Sequence, residues 1–259
     1  MKIFLRQMIA IVRLSFIELL RRNDLYALLA LAFTLMIPLS MASPFGAGGA
    51  GRYLDEVALL LVWGFSLFIA VGAGSRLLPP EFANRTIYPL LAKPISRGRL
   101  LLGKYLGAML SSSAAVLLFY FLFAGSVLLR DGTLSMAMVE AVVLHILFVA
   151  LAVAVSLLGS LIFTPSANLV LSAGMLTTMF FFGRRLPEYA DTAGGALKAL
   201  VLALYAVAPH AEFFDLRQRV VHGWGAVDAG VVLAVLAYAA CYCGGLLALS
   251  RLALGKKKL

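Results

Sequence analysis

The stretch GRLLLGKY, Gly98 to Tyr105, sets two glycines and a lysine at the spacing of a phosphate-cradling loop. Gly98, Gly103 and Lys104 fit G-x-x-x-x-G-K-[ST], with Tyr105 where the small hydroxyl residue belongs. In a working loop the backbone N–H groups and the lysine hold phosphates, and the hydroxyl ligates Mg²⁺. Such a loop follows a buried strand and opens a helix of a βαβ unit. Here the preceding YPLLAKPIS carries Pro89 and Pro94, which exclude a central strand. A long apolar run follows, and a tyrosine does not replace the small hydroxyl. The match reads as coincidence. Ser96 reads instead as the N-cap of a helix with Arg97, Arg99 and Lys104 as anchors at its foot.

Other residues with chemical potential are few. His145 lies inside an apolar run with Glu140 near its end, and ionisable residues in such runs are functional candidates. A single neutral histidine also serves as a packing residue, and Glu140 reads as interfacial. Cys241 and Cys243 could hold a soft metal such as Cu(I). Residues two apart do not share a helix face, so they read as small packing residues. No paired carboxylates, metal cluster, or nucleophile with its base emerges. The expectation is a protein that is not an enzyme, with no catalytic, cofactor-binding or metal residues.

The elements around these residues follow from composition. Of 259 residues, 63% are hydrophobic and 13% charged, and the mean hydropathy is +0.99. That places the chain among integral membrane proteins. About 20 apolar residues of helix cross ~30 Å of hydrocarbon. Six runs are candidates: Leu25 to Ala42, Val57 to Leu78, Leu100 to Leu129, Val139 to Phe163, Asn168 to Phe182, and Val227 to Leu249, the fifth being short. The fold class expected is therefore all-α, a single transmembrane domain over 1–259.

The formal charge of +10 is distributed by topology. Five Lys and Arg precede the first run, six fall between Arg76 and Lys104, and four lie in the tail. These fifteen share one side, against seven on the other. The positive-inside rule then predicts cytoplasmic N- and C-termini in an inner (cell) membrane, crossed several times. Nucleic acid is not implied. The basic stretch ahead of Leu25 is too long for the n-region of a cleaved leader.

Residues 1–24 read as an amphipathic helix in the cytoplasmic interface, with Leu5, Met8, Ile9, Val12, Phe16 and Leu19 on its apolar face. Small residues recur every four positions at Ser66, Ala70, Gly74, at Gly103, Gly107, Ser111, Ala115, and at Ala152, Ser156, Ser160. Such stripes let helices approach closely in lipid. The outer segment, 183–226, contains Ala196 to Ala208, too short to span. It is expected on the outer membrane surface or as a cap on the bundle, ended by Pro209.

The cytoplasmic segment, 79–99, predicts a two-turn helix opened by Pro80 and Glu81 and ended before Pro89. Glu81, Asn84, Arg85 and Tyr88 would share its polar face, and Glu81 and Arg85 could pair. A short helix held between two spans, polar face outward, fits a docking knob for a cytoplasmic partner.

EFANRTIYPLLAKPISRGRLLLGKYLG resembles the loop after the second span in permeases of the second, exporter-type class of ATP-binding-cassette transporters. Glu81, Thr86, Leu90, Leu91, Pro94, Ser96, Arg97, Gly103 and Lys104 carry the likeness, while Arg85 stands where many members have glycine. The six-span plan agrees over nearly the whole chain. APHAEFFDLRQRVVHG, ending at Gly223, more weakly resembles the outer segment of relatives of the permease of nitrous oxide reductase copper maturation. The resemblance implies an export permease subunit that forms the substrate pathway as two copies with two separate ATPase subunits. ATP and Mg²⁺ would then sit on the partner, and Glu81, Asn84, Arg85, Thr86, Tyr88, Pro94, Ser96 and Arg97 would form the docking and coupling segment. The alternative is an ATPase-independent channel or secondary transporter, for which His145 is the candidate residue inside the spans.

Overall fold

A computed structural model describes residues 2–41, 50–84, 96–131 and 134–256. Among them the secondary structure is helical, with no strand. In chain order the helices are α1 (Lys2–Leu20), α2 (Asn23–Met41), α3 (Ala50–Ser75), α4 (Pro79–Ala83), α5 (Arg97–Asp131), α6 (Met136–Ser160), α7 (Pro165–Phe182), α8 (Leu186–Ala193), α9 (Gly195–Val207), α10 (Arg217–His222) and α11 (Ala229–Lys256). Two 3₁₀ turns, Gly183–Arg185 and Ala211–Phe214, punctuate the stretch between α7 and α11.

Among the described residues five helices are long and apolar enough to cross a membrane, and up to six if the bent pair at 195–222 counts as one. The chain is a multi-pass helical membrane protein. The first expected span corresponds to α2, whose apolar stretch Leu25–Pro38 is shorter than the other five. The fifth is longer than expected. Pro165 supplies the first helical position and Thr164 the extended residue before it, so the helix starts three residues earlier, and the crossing stretch runs Pro165–Thr192.

Uniform hydrophobicity puts α6 in the centre. Every residue from Phe148 to Leu157 on it is buried, and α3, α5, α7 and α11 pack around it. The small-residue stripes of α3 and α6 face each other. Ser66, Ala70, Ala152 and Ser156 are buried, and a Cβ on Gly74 would stand 1.9 Å from Ser156 Oγ.

The stripe on α5 meets α1, and this contact selects which face of α1 is buried. The buried face of α1 is Met8, Ile11, Ser15 and Leu19, while Ile9 is 57% exposed. A Cβ on Gly103 would lie 2.6 Å from Ile11 Cγ2, and one on Gly107 2.6 Å from Ser15 Cβ and 3.0 Å from the Val12 carbonyl oxygen. Two glycines four apart thus accept Ile11 and Ser15, also four apart, so the two helices run alongside each other. This fit selects a face rotated from the one with the most apolar atoms. Gly107→Ala, which meets backbone, is expected to destabilise the protein by about 1–3 kcal/mol through overpacking. Thermal unfolding in detergent would read this as a lowered midpoint.

The segment expected on the outer surface or as a cap on the bundle packs against α11. Tyr242, half-way along α11, donates from its hydroxyl to the Val207 carbonyl, and the His210 N–H donates to Tyr238 Oη at 2.9 Å. The end of α9 is thus fastened to the middle of α11, and the chain then bends by 45° into 211–222. The physical reason is Pro209. It ends α9 where the last carbonyls lack partners, and the tyrosine hydroxyls on α11 satisfy the broken backbone.

Candidate functional site

Helix ends bring the basic residues together at one end of the bundle. Ser96 precedes α5, and its Oγ accepts from Arg99 N at 3.4 Å. From the first position of α5, Arg97 Nη1 donates to the carbonyls of Leu254 at 2.9 Å and Gly255 at 3.2 Å. A cation thereby caps the C-terminus of α11, where the unpaired carbonyls and the helix dipole favour one.

Lys104 is the centre of this end. It is no snorkelling anchor, being only 2% exposed. Its Nζ lies 2.7 Å from Glu81 Oε1 and 3.8 Å from Glu18 Oε2, and donates to the Leu77 carbonyl at 3.4 Å. The one-turn helix α4, shorter than expected, is set by Pro79 and Pro80 in its first turn. It points Glu81 inward to Lys104. The four groups join α1, the end of α3, α4 and α5 through a single ammonium. Lys104 also sits in the third turn of a continuous helix, not in a loop, so the P-loop spacing has no P-loop geometry.

Asn84 ends α4 and is exposed, its N–H donating to the Pro80 carbonyl at 2.9 Å. Arg85, Thr86, Tyr88 and Pro94 lie outside the described residues. Of the expected docking segment, Glu81 and Arg97 are turned to neighbouring helices, while Asn84 and the exposed Ser96 flank residues 85–95.

His145 is enclosed by α3, α5 and α6. Ser66 Oγ donates to the Trp63 carbonyl at 2.8 Å, so its one proton is used, and His145 Nε2 at 2.5 Å must donate to it. Nδ1 is then free to accept from Tyr120 Oη at 3.2 Å. This assigns the neutral Nε2–H tautomer. Phe148 and Phe180 stack on Trp63 beside this group, with ring centroids 4.6 and 3.5 Å away, and Arg217 lies 4.6 Å over the Phe180 ring.

Two polar sites escaped the sequence reading. Asn168, fully buried in α7, donates to Ser75 Oγ at 2.9 Å and the Ser156 carbonyl at 2.7 Å, and accepts from Ser172 Oγ at 2.9 Å. A Cβ on Gly159 would be 1.9 Å from its Oδ1. The rule that singled out His145 applies to an asparagine in an apolar run, and that signal was present. Glu212 lies in the outer segment, where nothing singled it out. It is 2% exposed, faces Gly183, and holds His210 Nδ1 at 3.1 Å from its Oε1. Asp215 and Arg217 pair through two bonds of 3.0 and 3.1 Å. Nothing in the local pattern marked the 208–217 segment as buried.

Cys243 is buried and Cys241 exposed on α11, in keeping with residues two apart. Among the described residues no three His, Cys, Asp or Glu side chains converge as for a metal ion. No protein-family model matches the chain, and no curated protein is similar to it.

Proposed function

We propose that this chain is the transmembrane permease subunit of an ATP-binding-cassette exporter, working as two copies with two cytoplasmic ATPase subunits. The single observation that carries the reading is the Glu81–Lys104 ion pair at 2.7 Å. The likeness to such permeases begins at Glu81 and ends with Gly103-Lys104, and these two ends are one structural unit. Gly103 admits Ile11 of α1, and Lys104 next to it holds α4. A load applied at Asn84 and residues 85–95 would pass through this ammonium to α3, α5 and α1 together. That is what a coupling segment has to do. Docking then falls on Asn84, Arg85, Thr86, Tyr88, Pro94 and Ser96, with Glu81 and Arg97 bracing it from within. ATP and Mg²⁺ would be held by the partner, the basic end of the bundle would face the cytoplasm, and the chain would reside in the inner (cell) membrane.

A channel or secondary transporter working without an ATPase is the second reading. The observation favouring it is Glu212, a carboxylate buried in the 208–217 segment with Oε2 lacking a hydrogen-bond partner, since ionisable groups inside a bundle mark ion or proton paths.

Affinity purification of the full chain from its native membrane separates the two. A cytoplasmic ATPase is expected to co-purify, and the chain alone is expected to bind no ATP. Nucleotide affinity without a partner, or transport in vesicles holding this chain alone, would overturn the proposal.

A further inference from the structure

A cavity of about 210 Å³ opens between α1, α2, α3 and α5, with Leu169 of α7 contributing to its wall. Leu25, Leu28, Phe68 and Ile69 make its sides apolar. An engineered apolar cavity of ~150 Å³ stays dry and takes a six-carbon ring, so this volume is suited to hydrocarbon. Two guanidinium-bearing residues line the same cavity: Arg22, between α1 and α2, and Arg76, just past α3. Both are half-buried. Arg76 and Phe68 are eight residues apart, about 12 Å along a helix axis, so the cavity has a cationic end and an apolar end. Ser112 is a third, separate feature. It lines the cavity, is fully buried, and its hydroxyl has no hydrogen-bond partner, whereas the neighbouring Ser111 donates to the Ala108 carbonyl at 2.9 Å. A buried hydroxyl left unmatched beside a hydrocarbon-sized space points to a ligand that carries an acceptor as well as a chain.

We propose that this cavity is a binding site for an anionic phospholipid, with one acyl chain between Leu28 and Phe68, the phosphate at Arg22 and Arg76, and a lipid oxygen accepting from Ser112. The arrangement follows general chemistry. Basic pockets between membrane helices attract anionic headgroups, and arginine forks match phosphate oxygens. The lipid would enter from the leaflet at the basic end of the bundle, where α2 begins and α3 ends. Bound there, it would bridge α2 to α3 and α5. The proposal concerns the bundle itself and holds whichever transport mechanism the chain uses.

Gly72 makes the test clean. It lines the cavity, and a Cβ built on it meets nothing within 4 Å, so the side chain of Gly72→Leu starts into open space at the cavity wall. The full chain, delipidated in a neutral maltoside detergent, would be titrated with phosphatidylglycerol or phosphatidylcholine and bound lipid counted by native mass spectrometry. Wild type is expected to bind one phosphatidylglycerol at least tenfold more tightly than phosphatidylcholine. Arg22→Gln with Arg76→Gln should reduce that preference to twofold or less, and Gly72→Leu should weaken both lipids at least tenfold while eluting as the same monodisperse species. Inorganic phosphate at millimolar concentration should not displace the lipid. Undiminished phosphatidylglycerol binding by monodisperse Gly72→Leu would overturn the proposal. So would an unchanged preference in the arginine variant, or displacement by phosphate alone, which would mark a simple anion site. If Gly72→Leu aggregates, the arginine variant alone decides.

Discussion

Lys104→Met is expected to destabilise the protein by about 3–5 kcal/mol, the cost of removing one partner from a buried ion pair. Methionine keeps most of the side chain's length and its apolar stem, and gives up the bond to the Leu77 carbonyl along with the charge. What changes is Glu81, left buried with Oε1 unpaired alongside an Oε2 that already lacks a partner. Glu18 cannot replace the lost ammonium, because it is itself a carboxylate, and its own 3.8 Å contact to Nζ disappears with the charge. The double variant Lys104→Met, Glu81→Leu removes both charges and is expected to recover most of the stability, because well-packed apolar replacements of buried pairs are often neutral. Chemical unfolding in detergent measures all three forms. A single variant as stable as wild type would mean that the pair is not the fastener of α4. Recovery of stability without recovery of ATPase association in the double variant would separate the fastening role from the docking role.

The second large effect is expected at Gly159→Ala. Its new methyl carbon would fall 1.9 Å from Asn168 Oδ1 and 2.8 Å from Cγ. The amide has nowhere to go without breaking bonds to Ser75, Ser156 and Ser172. Interhelical hydrogen bonds in membranes contribute roughly 0.6–2 kcal/mol each, and overpacking costs about 1–3 kcal/mol. A total near 3 kcal/mol is the expected loss. Asn168→Ala alone forfeits the bonds but creates no clash, so adding Gly159→Ala to it should cost far less than in wild type. A double-mutant cycle reads this as a coupling of at least 1 kcal/mol. Strict additivity would show that Gly159 and Asn168 do not touch.

Much of the architecture was legible locally. Hydropathy located the long helices, because a segment that must satisfy its own backbone in lipid announces itself by about 20 apolar residues in sequence. The apolar run from Asn168 marked the fifth helix but started it late, because the helix opens at Pro165. The four-residue stripes were visible as packing surfaces, and the bundle uses Gly74, Gly103 and Gly107 as such. At the candidate site, Glu81 and Lys104 were both singled out, but separately: one as a polar-face residue and the other as a membrane-surface anchor.

What the amino-acid order determined by itself was therefore the long helices and their small-residue stripes, since apolar runs and four-residue spacing act within one segment. Partnership was decided only by the tertiary structure. Nothing within α4 shows that Glu81 will pair with a lysine 23 positions on, because the pairing depends on α3 and α5 lying side by side. Nothing within α1 shows that Ile11 and Ser15, not Ile9, will be buried, because the glycines that receive them belong to α5. Likewise, His210 and Val207 find hydroxyls on α11 at Tyr238 and Tyr242 only when α9 folds back against it. The physical reason is common to all three. In lipid, hydrophobicity is spent on insertion and does not distinguish one helix neighbour from another. Close fit at small residues and the satisfaction of buried polar groups make that choice, and both are properties of two surfaces meeting.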